Sequence, residues 1–130
     1  MATVLVVDDL AANRALLKAI LQAGGHSVLE AADGIDGLRI AQERSPDLVI
    51  VDLHLPGMDG VDLIRALRSG AGARPVKVAL YTATTVDSAM RQFMELAGID
   101  CLIPKPSEPG DVLATVNAAL EGSSAKRPAL

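Results

Sequence analysis

Aromatic residues are almost missing from this chain of 130 residues, which has one tyrosine, one phenylalanine and no tryptophan. Half of the residues are nonetheless hydrophobic, so a core has to be built from valine, leucine, isoleucine and alanine. A chain of this length buries one substantial core and leaves no room for a second folded domain. The aliphatic composition suits a single α/β domain.

Three further features that the sequence lacks limit where the protein works and what it binds. Cys101 is the only cysteine, so the chain cannot form an internal disulfide. The net charge is -4 and there is no basic, aromatic-rich run, which argues against nucleic-acid binding by this domain. The amino terminus has no charged segment followed by a long apolar stretch. We therefore expect a cytoplasmic protein that contacts neither nucleic acid nor a membrane.

Apolar runs alternate with helical patterns along most of the chain, as in βα units built on a parallel sheet. The first, third and fourth runs are the most continuously apolar, which is typical of strands covered on both faces. Glu30 and Asp100 interrupt the other two, which favours sheet edges, and Pro104 near the end of the fifth also favours an edge. The predicted strands are Val4 to Val7, Ser27 to Ala31, Leu48 to Val51, Val76 to Tyr81 and Ile99 to Ile103.

Helical spacing of apolar residues predicts the intervening helices. Asp59 is placed to begin one helix, and Thr84 with Asp87 three residues later is typical of a capping box. The apolar stripes are Leu16, Leu17, Ile20 and Leu21; Val61, Ile64 and Leu67; Val86, Met90, Phe93 and Ala97; and Val112, Val116 and Leu120.

Acidic residues follow two of the predicted strands directly. Asp8 and Asp9 come after the first strand and Asp52 after the third. Ligands of open parallel sheets bind beyond the carboxyl ends of the strands, where the winding direction reverses. Carboxylates about 4 Å apart repel each other by roughly 4 kcal/mol per pair at an effective dielectric constant near 20. A hard divalent ion such as Mg2+, which is held by carboxylates, waters and phosphate, would offset that repulsion.

Two further residues complete a site for a phosphoryl group. Thr82 supplies a hydroxyl after the fourth strand, and Lys105 supplies a positive charge after the fifth. Each residue also has a plainer interpretation: Asp8 or Asp9 could cap the helix beginning near Ala12, Thr82 could be an ordinary strand residue, and Lys105 could be solvated. Their joint placement at strand ends favours a site.

The set resembles the receiver domain of two-component response regulators from about Thr3 to Leu120. The resemblance is carried by Val6-Val7-Asp8-Asp9, by Asp52 with Leu55-Pro56-Gly57-Met58-Asp59-Gly60, by Thr82-Ala83 and by Lys105-Pro106, in order and spacing. It implies a single doubly wound (βα)5 domain, flavodoxin-like, with a five-stranded parallel sheet in the order 2-1-3-4-5. Residues 1–121 would form the receiver domain, and residues 122–130 a disordered tail or a truncated linker.

By this resemblance Asp52 is the phosphoacceptor, and it takes a phosphoryl group from a phosphohistidine. Asp9 and Asp52 would bind Mg2+ directly, together with the backbone carbonyl of His54, while Asp8 would act mainly through water. The metal would neutralise charge on the transferring oxygens.

Lys105 and Thr82 would respond to the phosphoryl group. By the same resemblance, Lys105 pairs with one phosphoryl oxygen, and a cis bond to Pro106 aims its ammonium inward. Thr82 swings in to bond another oxygen, which switches the surface near the fourth and fifth helices. The partner would be a sensor histidine kinase or a histidine phosphotransfer protein. Whether phosphorylation produces a dimer is left open by the sequence. The protein would be a signalling switch rather than an enzyme, beyond self-catalysed phosphotransfer and autodephosphorylation.

One departure from the family concerns Leu102, because the residue three before the lysine is usually Tyr or Phe. Tyr81 either substitutes for that ring or is a buried packing residue. A second hypothesis is therefore a receiver-like interaction module whose phosphorylation is vestigial or decoupled. A third is a phosphatase using aspartyl-phosphate chemistry; it is weakened because His54 stands where such hydrolases usually carry a second acid.

Overall fold

The computed structural model describes residues 2–53, 55, 60–69, 76–82, 87–105 and 107–121. Within these ranges, strands and helices alternate, as predicted. The strands are β1 (Thr3–Val7), β2 (Ser27–Ala31), β3 (Leu48–Asp52), β4 (Lys77–Thr82) and β5 (Cys101–Pro104). The helices are α1 (Ala11–Ala23), α2 (Gly34–Arg44), α3 (Gly60–Ser69), α4 (Ser88–Ala97) and α5 (Pro109–Leu120).

The strands form one parallel sheet with the spatial order β2-β1-β3-β4-β5. This confirms the predicted doubly wound fold. Because β2 and β3 flank β1, the chain winds first to one side of β1 and then to the other. The winding therefore reverses between β1 and β3, and sheets of this kind bind their ligands beyond the carboxyl ends at such a reversal.

The register aligns the carboxyl ends of the central strands. Val7 at the end of β1 pairs with Val51, and Asp52 at the end of β3 pairs with Tyr81. Thr82 at the end of β4 pairs with Pro104. The residues that follow these strands consequently meet at one edge of the sheet.

The core has two layers because successive strand side chains point to opposite faces of the sheet. Val4 and Val6 pack on the face covered by α1 and α5, whereas Leu5 and Val7 pack on the face covered by α2, α3 and α4. Among the residues that the structure describes, the buried side chains are aliphatic apart from Tyr81 and a few polar groups at the site. No helix in the part of the chain that the structure describes is long and apolar enough to cross a membrane.

The predicted edge strands are confirmed, with one correction at β5. Pro104 ends this edge strand, where a missing N–H costs least. Asp100, however, lies just before β5 rather than inside it. Its side chain accepts a hydrogen bond from Val78 N at 2.8 Å, and its own N–H donates to the Val78 carbonyl at 2.9 Å. The Asp100 carboxylate thus bonds to the backbone of β4 one residue ahead of the point in the sequence where β5 starts to pair with β4.

Two helix predictions also need correction. The N-cap of α4 is Asp87, whose Oδ1 accepts from Met90 N at 2.8 Å, so the helix begins at Ser88 rather than at a Thr84 cap. Thr84, like Asp59, lies outside the described residues. Leu16 belongs to the predicted apolar stripe of α1 but is 50% exposed, whereas Leu17 is fully buried. The adjacent residue is rotated by about 100° around the helix, and only one of the two faces the sheet.

Candidate functional site

Asp52 is the last residue of β3 and is 5% exposed. Every residue of this strand is buried, so the backbone that carries the carboxylate is held on both faces. Gly60 N–H donates to the Leu53 carbonyl at 3.1 Å and brings the start of α3 against the strand end. A Cβ at Gly60 would lie 2.6 Å from the Asp52 carbonyl oxygen. Glycine therefore permits the close approach that fixes this strand end.

Asp8 follows β1 and is 1% exposed, and its hydrogen bonds orient it tightly. Its Oδ1 accepts from Leu10 N at 2.9 Å, and its Oδ2 accepts from Asn13 Nδ2 at 3.1 Å. Arg14 Nη1 donates to the Asp8 carbonyl at 2.7 Å and so holds the backbone as well. The capping interpretation of Asp8 is not confirmed, because the N-cap of α1 is Leu10 and the helix has no side-chain capping hydrogen bond. The Asp8 carboxylate instead bonds the N–H of this residue, which precedes the helix. It also faces the site.

Asn13 and Arg14 were missed by the sequence reasoning. Both lie in the first turn of α1, shortly after the paired acids, and that position is the signal that would have found them. Arg14 Nε also pairs with Glu30 of β2 at 3.3 Å. The loop carrying the acids is thereby tied to the neighbouring edge strand.

Asp9 completes an acidic cluster with Asp8 and Asp52. One carboxylate oxygen from each residue lies within 4.8 Å of the others; Asp9 is exposed, and the other two are buried. Mg2+ binds oxygens at about 2.0–2.1 Å, which requires ligand oxygens roughly 3–4 Å apart. The three oxygens, which lie within 4.8 Å of one another, are close to that spacing. The donor set, hard anionic oxygens in a partly buried crevice, suits a magnesium ion.

Lys105 reaches the buried acids across the sheet edge. Its Nζ lies 3.0 Å from Asp52 Oδ2 and 3.5 Å from Asp8 Oδ2. Its backbone N–H donates to the Thr82 carbonyl at 3.0 Å, which fixes where the side chain starts. Burial by itself lowers the pKa of the Lys105 ammonium, but the hydrogen bond to Asp52 and the charges of Asp8 and Asp52 outweigh it. The net result is a raised pKa, so the residue is a cation at neutral pH.

Thr82 and Tyr81 end β4 and lie next to Lys105. Thr82 is 3% exposed, at the carboxyl edge shared by the other site residues. Tyr81 is buried among the residues that pack against α1 and α5, while Leu102 packs on the opposite face, beside α3 and α4. Tyr81 therefore does not occupy the place of a ring at position 102, and the packing interpretation of Tyr81 is the better one. Burial raises the pKa of the Tyr81 phenol; Lys105 opposes this, and Asp8 and Asp52 reinforce it.

The remaining predicted positions fall elsewhere. His54 and Pro106 lie outside the described residues, so the metal-binding carbonyl and the cis bond stay predictions. Cys101 packs partly buried against the α1/α5 side of the core. Burial and the nearby Asp100 raise the pKa of its thiol to about 12, which makes the thiol unreactive at neutral pH.

Comparison with known proteins identifies the class. The profile of the response regulator receiver domain matches residues 4–117. The chain belongs to this family. Receiver domains are signalling switches of two-component systems that take phosphate from histidine kinases and generally bind Mg2+ at an acidic pocket. The acidic cluster at the end of β1 and β3 fits such a pocket.

Individual relatives differ in how much of their length the chain covers. It is 33% identical to Protein PilH of Pseudomonas aeruginosa over 122 residues, which is 94% of this chain and 100% of PilH. It is 38% identical over 117 residues to the DNA-binding response regulator MtrA of Mycobacterium tuberculosis, but spans only 50% of that protein. The chemotaxis protein CheY4 of Vibrio cholerae has a similar structure, with a TM-score of 0.84 and 30% identity, covering 91% of this chain and 98% of CheY4.

Proposed function

We propose that Asp52 is the residue of this receiver domain that accepts the phosphoryl group. One carboxylate oxygen attacks the phosphorus of a phosphohistidine, so that a P–O bond forms, the P–N bond breaks and the imidazole leaves. The observation that carries this proposal is the position of Asp52, buried at a strand end, 3.0 Å from a lysine ammonium and beside two further acids. A fixed nucleophile with a cation aimed at it lowers the cost of the charge that develops on the transferring oxygens.

The magnesium ion would be held by Asp9 and Asp52, with Asp8 contributing mainly through water. The hydrogen bonds of Asp8 support its indirect role in binding the ion, because Leu10 N and Asn13 Nδ2 already donate to its two carboxylate oxygens. Asp9 is exposed and open to an incoming ion. The backbone carbonyl of His54 is the proposed third protein ligand. When bound, the ion neutralises charge on the transferring oxygens and orients the in-line attack.

Lys105 and Thr82 would convert phosphorylation into a change of shape. The ammonium, already beside Asp52, pairs with one phosphoryl oxygen, and the Thr82 hydroxyl donates to another. Thr82 ends β4, and the next described residues lead into α4. A movement of Thr82 toward the phosphoryl group therefore shifts the surface near α4 and α5, which biases an equilibrium between two conformations.

The partners follow from the chemistry. The phosphodonor would be a sensor histidine kinase or a histidine phosphotransfer protein in the cytoplasm, and the phosphorylated form is a candidate for dimerisation. Residues 1–121 would form the working unit, which is supported by the end of α5 at Leu120 and by the extent of the family match. The net charge of -4 speaks against direct DNA binding by this domain.

The test is phosphorylation by acetyl phosphate, a small acyl phosphate that needs no kinase. We expect intact-mass measurement to show one added phosphoryl group in the presence of Mg2+ and much less after chelation by EDTA. Asp52→Asn removes the nucleophile but keeps the size of the side chain, so this variant should fold and stay unlabelled. Equal labelling of Asp52→Asn would place the phosphoryl group elsewhere.

A second candidate function is an interaction module whose phosphorylation is decoupled from its surface. It is favoured by Leu102, which packs as an aliphatic residue on the α3/α4 side, where the resemblance leads one to expect a ring. This candidate predicts phosphorylation of Asp52 without a change in the affinity of any partner. General phosphatase activity is a weaker candidate, and steady turnover of p-nitrophenyl phosphate would support it.

A further inference from the structure

The side chain of Lys105 lies over the ring of Tyr81. The ammonium nitrogen is 4.6 Å from the ring centre, well inside the distance of about 6 Å at which an aromatic face attracts a cation. Tyr81 is 5% exposed. The attraction is stronger in such a place, because little water competes for the ammonium.

The backbone fixes this contact. Tyr81 pairs with Ile103 across β4 and β5, and Lys105 comes two residues later, just beyond the end of β5. The hydrogen bond from Lys105 N to the Thr82 carbonyl then anchors the lysine directly beyond the tyrosine. The ring is itself held in the core layer that α1 and α5 cover. Both partners are thus positioned before any ligand arrives.

The other partners of the ammonium are carboxylates that have a competing use. Asp52 and Asp8 accept from Lys105, and both belong to the cluster that suits a divalent cation. An ion bound there draws on the same oxygens and repels the ammonium. The Tyr81 ring is neutral and takes no part in binding an ion. It is therefore the partner that Lys105 keeps when the carboxylates are engaged.

We infer that Tyr81 is a positioning residue for phosphoryl transfer, whose ring keeps the Lys105 ammonium directed at Asp52 when the acidic cluster holds a divalent cation. This inference rests on the proposed function, because it gives Lys105 its role at the phosphoryl group. A purely structural role would also bury the ring, since Tyr81 packs with Ile103 and Val112. The tests therefore have to follow the ammonium and not only stability.

The first test is an NMR measurement of the Lys105 ε-methylene protons, assigned by comparison with Lys105→Ala. A ring face shifts protons above it upfield. We expect an upfield shift in the wild-type protein that persists when Mg2+ saturates the site. Tyr81→Leu should abolish the shift, and Tyr81→Phe should restore it. Random-coil values in the wild-type protein with Mg2+ would overturn the inference, whether or not the Tyr81 variants fold.

The second test is the rate of Asp52 phosphorylation by acetyl phosphate at saturating Mg2+. We expect Tyr81→Leu to slow the reaction about tenfold, and Tyr81→Phe to restore most of the rate, because the ring is what attracts the cation. In a Lys105→Ala background the same Tyr81→Leu change should have almost no effect on the rate. Equal slowing in both backgrounds would reduce Tyr81 to a packing residue.

The two ideas fail in different ways. If the wild-type protein takes up no phosphoryl group, the proposed function fails and the positioning role fails with it. If the wild-type protein and Tyr81→Leu are phosphorylated equally fast, only the role of Tyr81 fails.

Discussion

Lys105 Nζ donates a 3.0 Å hydrogen bond to Asp52 Oδ2, although the two residues are 53 positions apart in the sequence. The bond joins the ends of two strands, β3 and β5, that are not neighbours in the sheet. It places a cation on the carboxylate that we propose as the phosphoacceptor. The role of Lys105 at this carboxylate can therefore be tested by a substitution at the edge of the sheet, outside the hydrophobic core.

Replacing Lys105 should separate phosphorylation from its structural consequence. We expect Lys105→Ala to accept phosphate from acetyl phosphate at least tenfold more slowly, because a charge-assisted contact to the phosphoryl oxygens is lost. Amide shifts near α4 should then no longer change on phosphorylation. Lys18→Ala, which removes a partly exposed ammonium of α1 that pairs with Glu30 of β2, is the matched control and should behave like the wild-type protein. Wild-type amide shifts in phosphorylated Lys105→Ala would contradict this role.

Gly60 is predicted to be sensitive to a single methyl group. In Gly60→Ala the new Cβ would lie 2.6 Å from the Asp52 carbonyl oxygen and 2.7 Å from Leu53 Cα. The contacted atoms belong to the backbone and cannot move away without distorting the end of β3. We therefore expect a loss of about 1–3 kcal/mol in the free energy of unfolding, measured by urea denaturation. Phosphorylation should also slow, because Asp52 has to move.

Gly110→Ala is the matched control for Gly60→Ala. A Cβ at Gly110, in α5, meets no heavy atom within 4 Å. Alanine is the better helix former, so this variant should be as stable as the wild-type protein or more stable. If both variants had the same stability, the close approach at Gly60 would not matter.

Arg68 should be worth more to stability than an ordinary surface arginine. It reaches from α3 to the end of α4, where Nε donates to the Ala97 carbonyl and Nη2 to the Gly98 carbonyl, each at 2.8 Å. Nη1 donates to the Val76 carbonyl before β4. Lysine lacks the planar fork, so we expect Arg68→Lys to cost about 2 kcal/mol in urea denaturation. The exposed Arg91 of α4 is the control, and Arg91→Lys should change stability by less than about 0.5 kcal/mol.

The buried thiol of Cys101 should make the free energy of unfolding depend on pH above neutrality. Its thiol has a pKa raised from 9.0 to about 12, chiefly by burial and then by Asp100. The folded state therefore keeps a proton that the unfolded state loses above pH 9. This contribution to stability is complete below pH 9 and falls as the pH rises toward 12. The unfolding free energy of the wild-type protein should accordingly decline relative to Cys101→Ala over that range, and parallel curves would contradict the raised pKa.

The fold was predictable because its signals are local. β2 was predicted with the bounds that it has, and Glu30 correctly marked it as an edge strand. Asp8 and Asp52 were predicted to meet because both stand at the carboxyl ends of buried parallel strands, and these ends share one edge of the sheet. Residues that directly follow periodic segments can be placed in this way without knowing how the helices pack.

Contacts that depend on side-chain reach could not be predicted from local signals. The fork of Arg68 spans 29 and 30 residues to α4 and the residue after it, and no periodicity specifies such a partner. Tyr81 was recognised as a packing residue, but its place under Lys105 follows from the register of β4 and β5. Sequence spacing alone does not fix that register. The start of α4 was predicted too early because Thr84 and Asp87 are both good capping residues.

The most direct test of the central claim is an NMR amide-shift titration of the wild-type protein and Asp52→Asn, first with Mg2+ and then with beryllofluoride, a phosphoryl mimic. In the wild-type protein we expect Mg2+ to shift Asp8, Asp9 and Asp52, and beryllofluoride to extend the shifts to Thr82, Lys105 and the start of α4. Asp52→Asn should show no beryllofluoride response. A response in Asp52→Asn equal to that of the wild-type protein, or no response in either, would contradict the assignment of Asp52 as the phosphoacceptor.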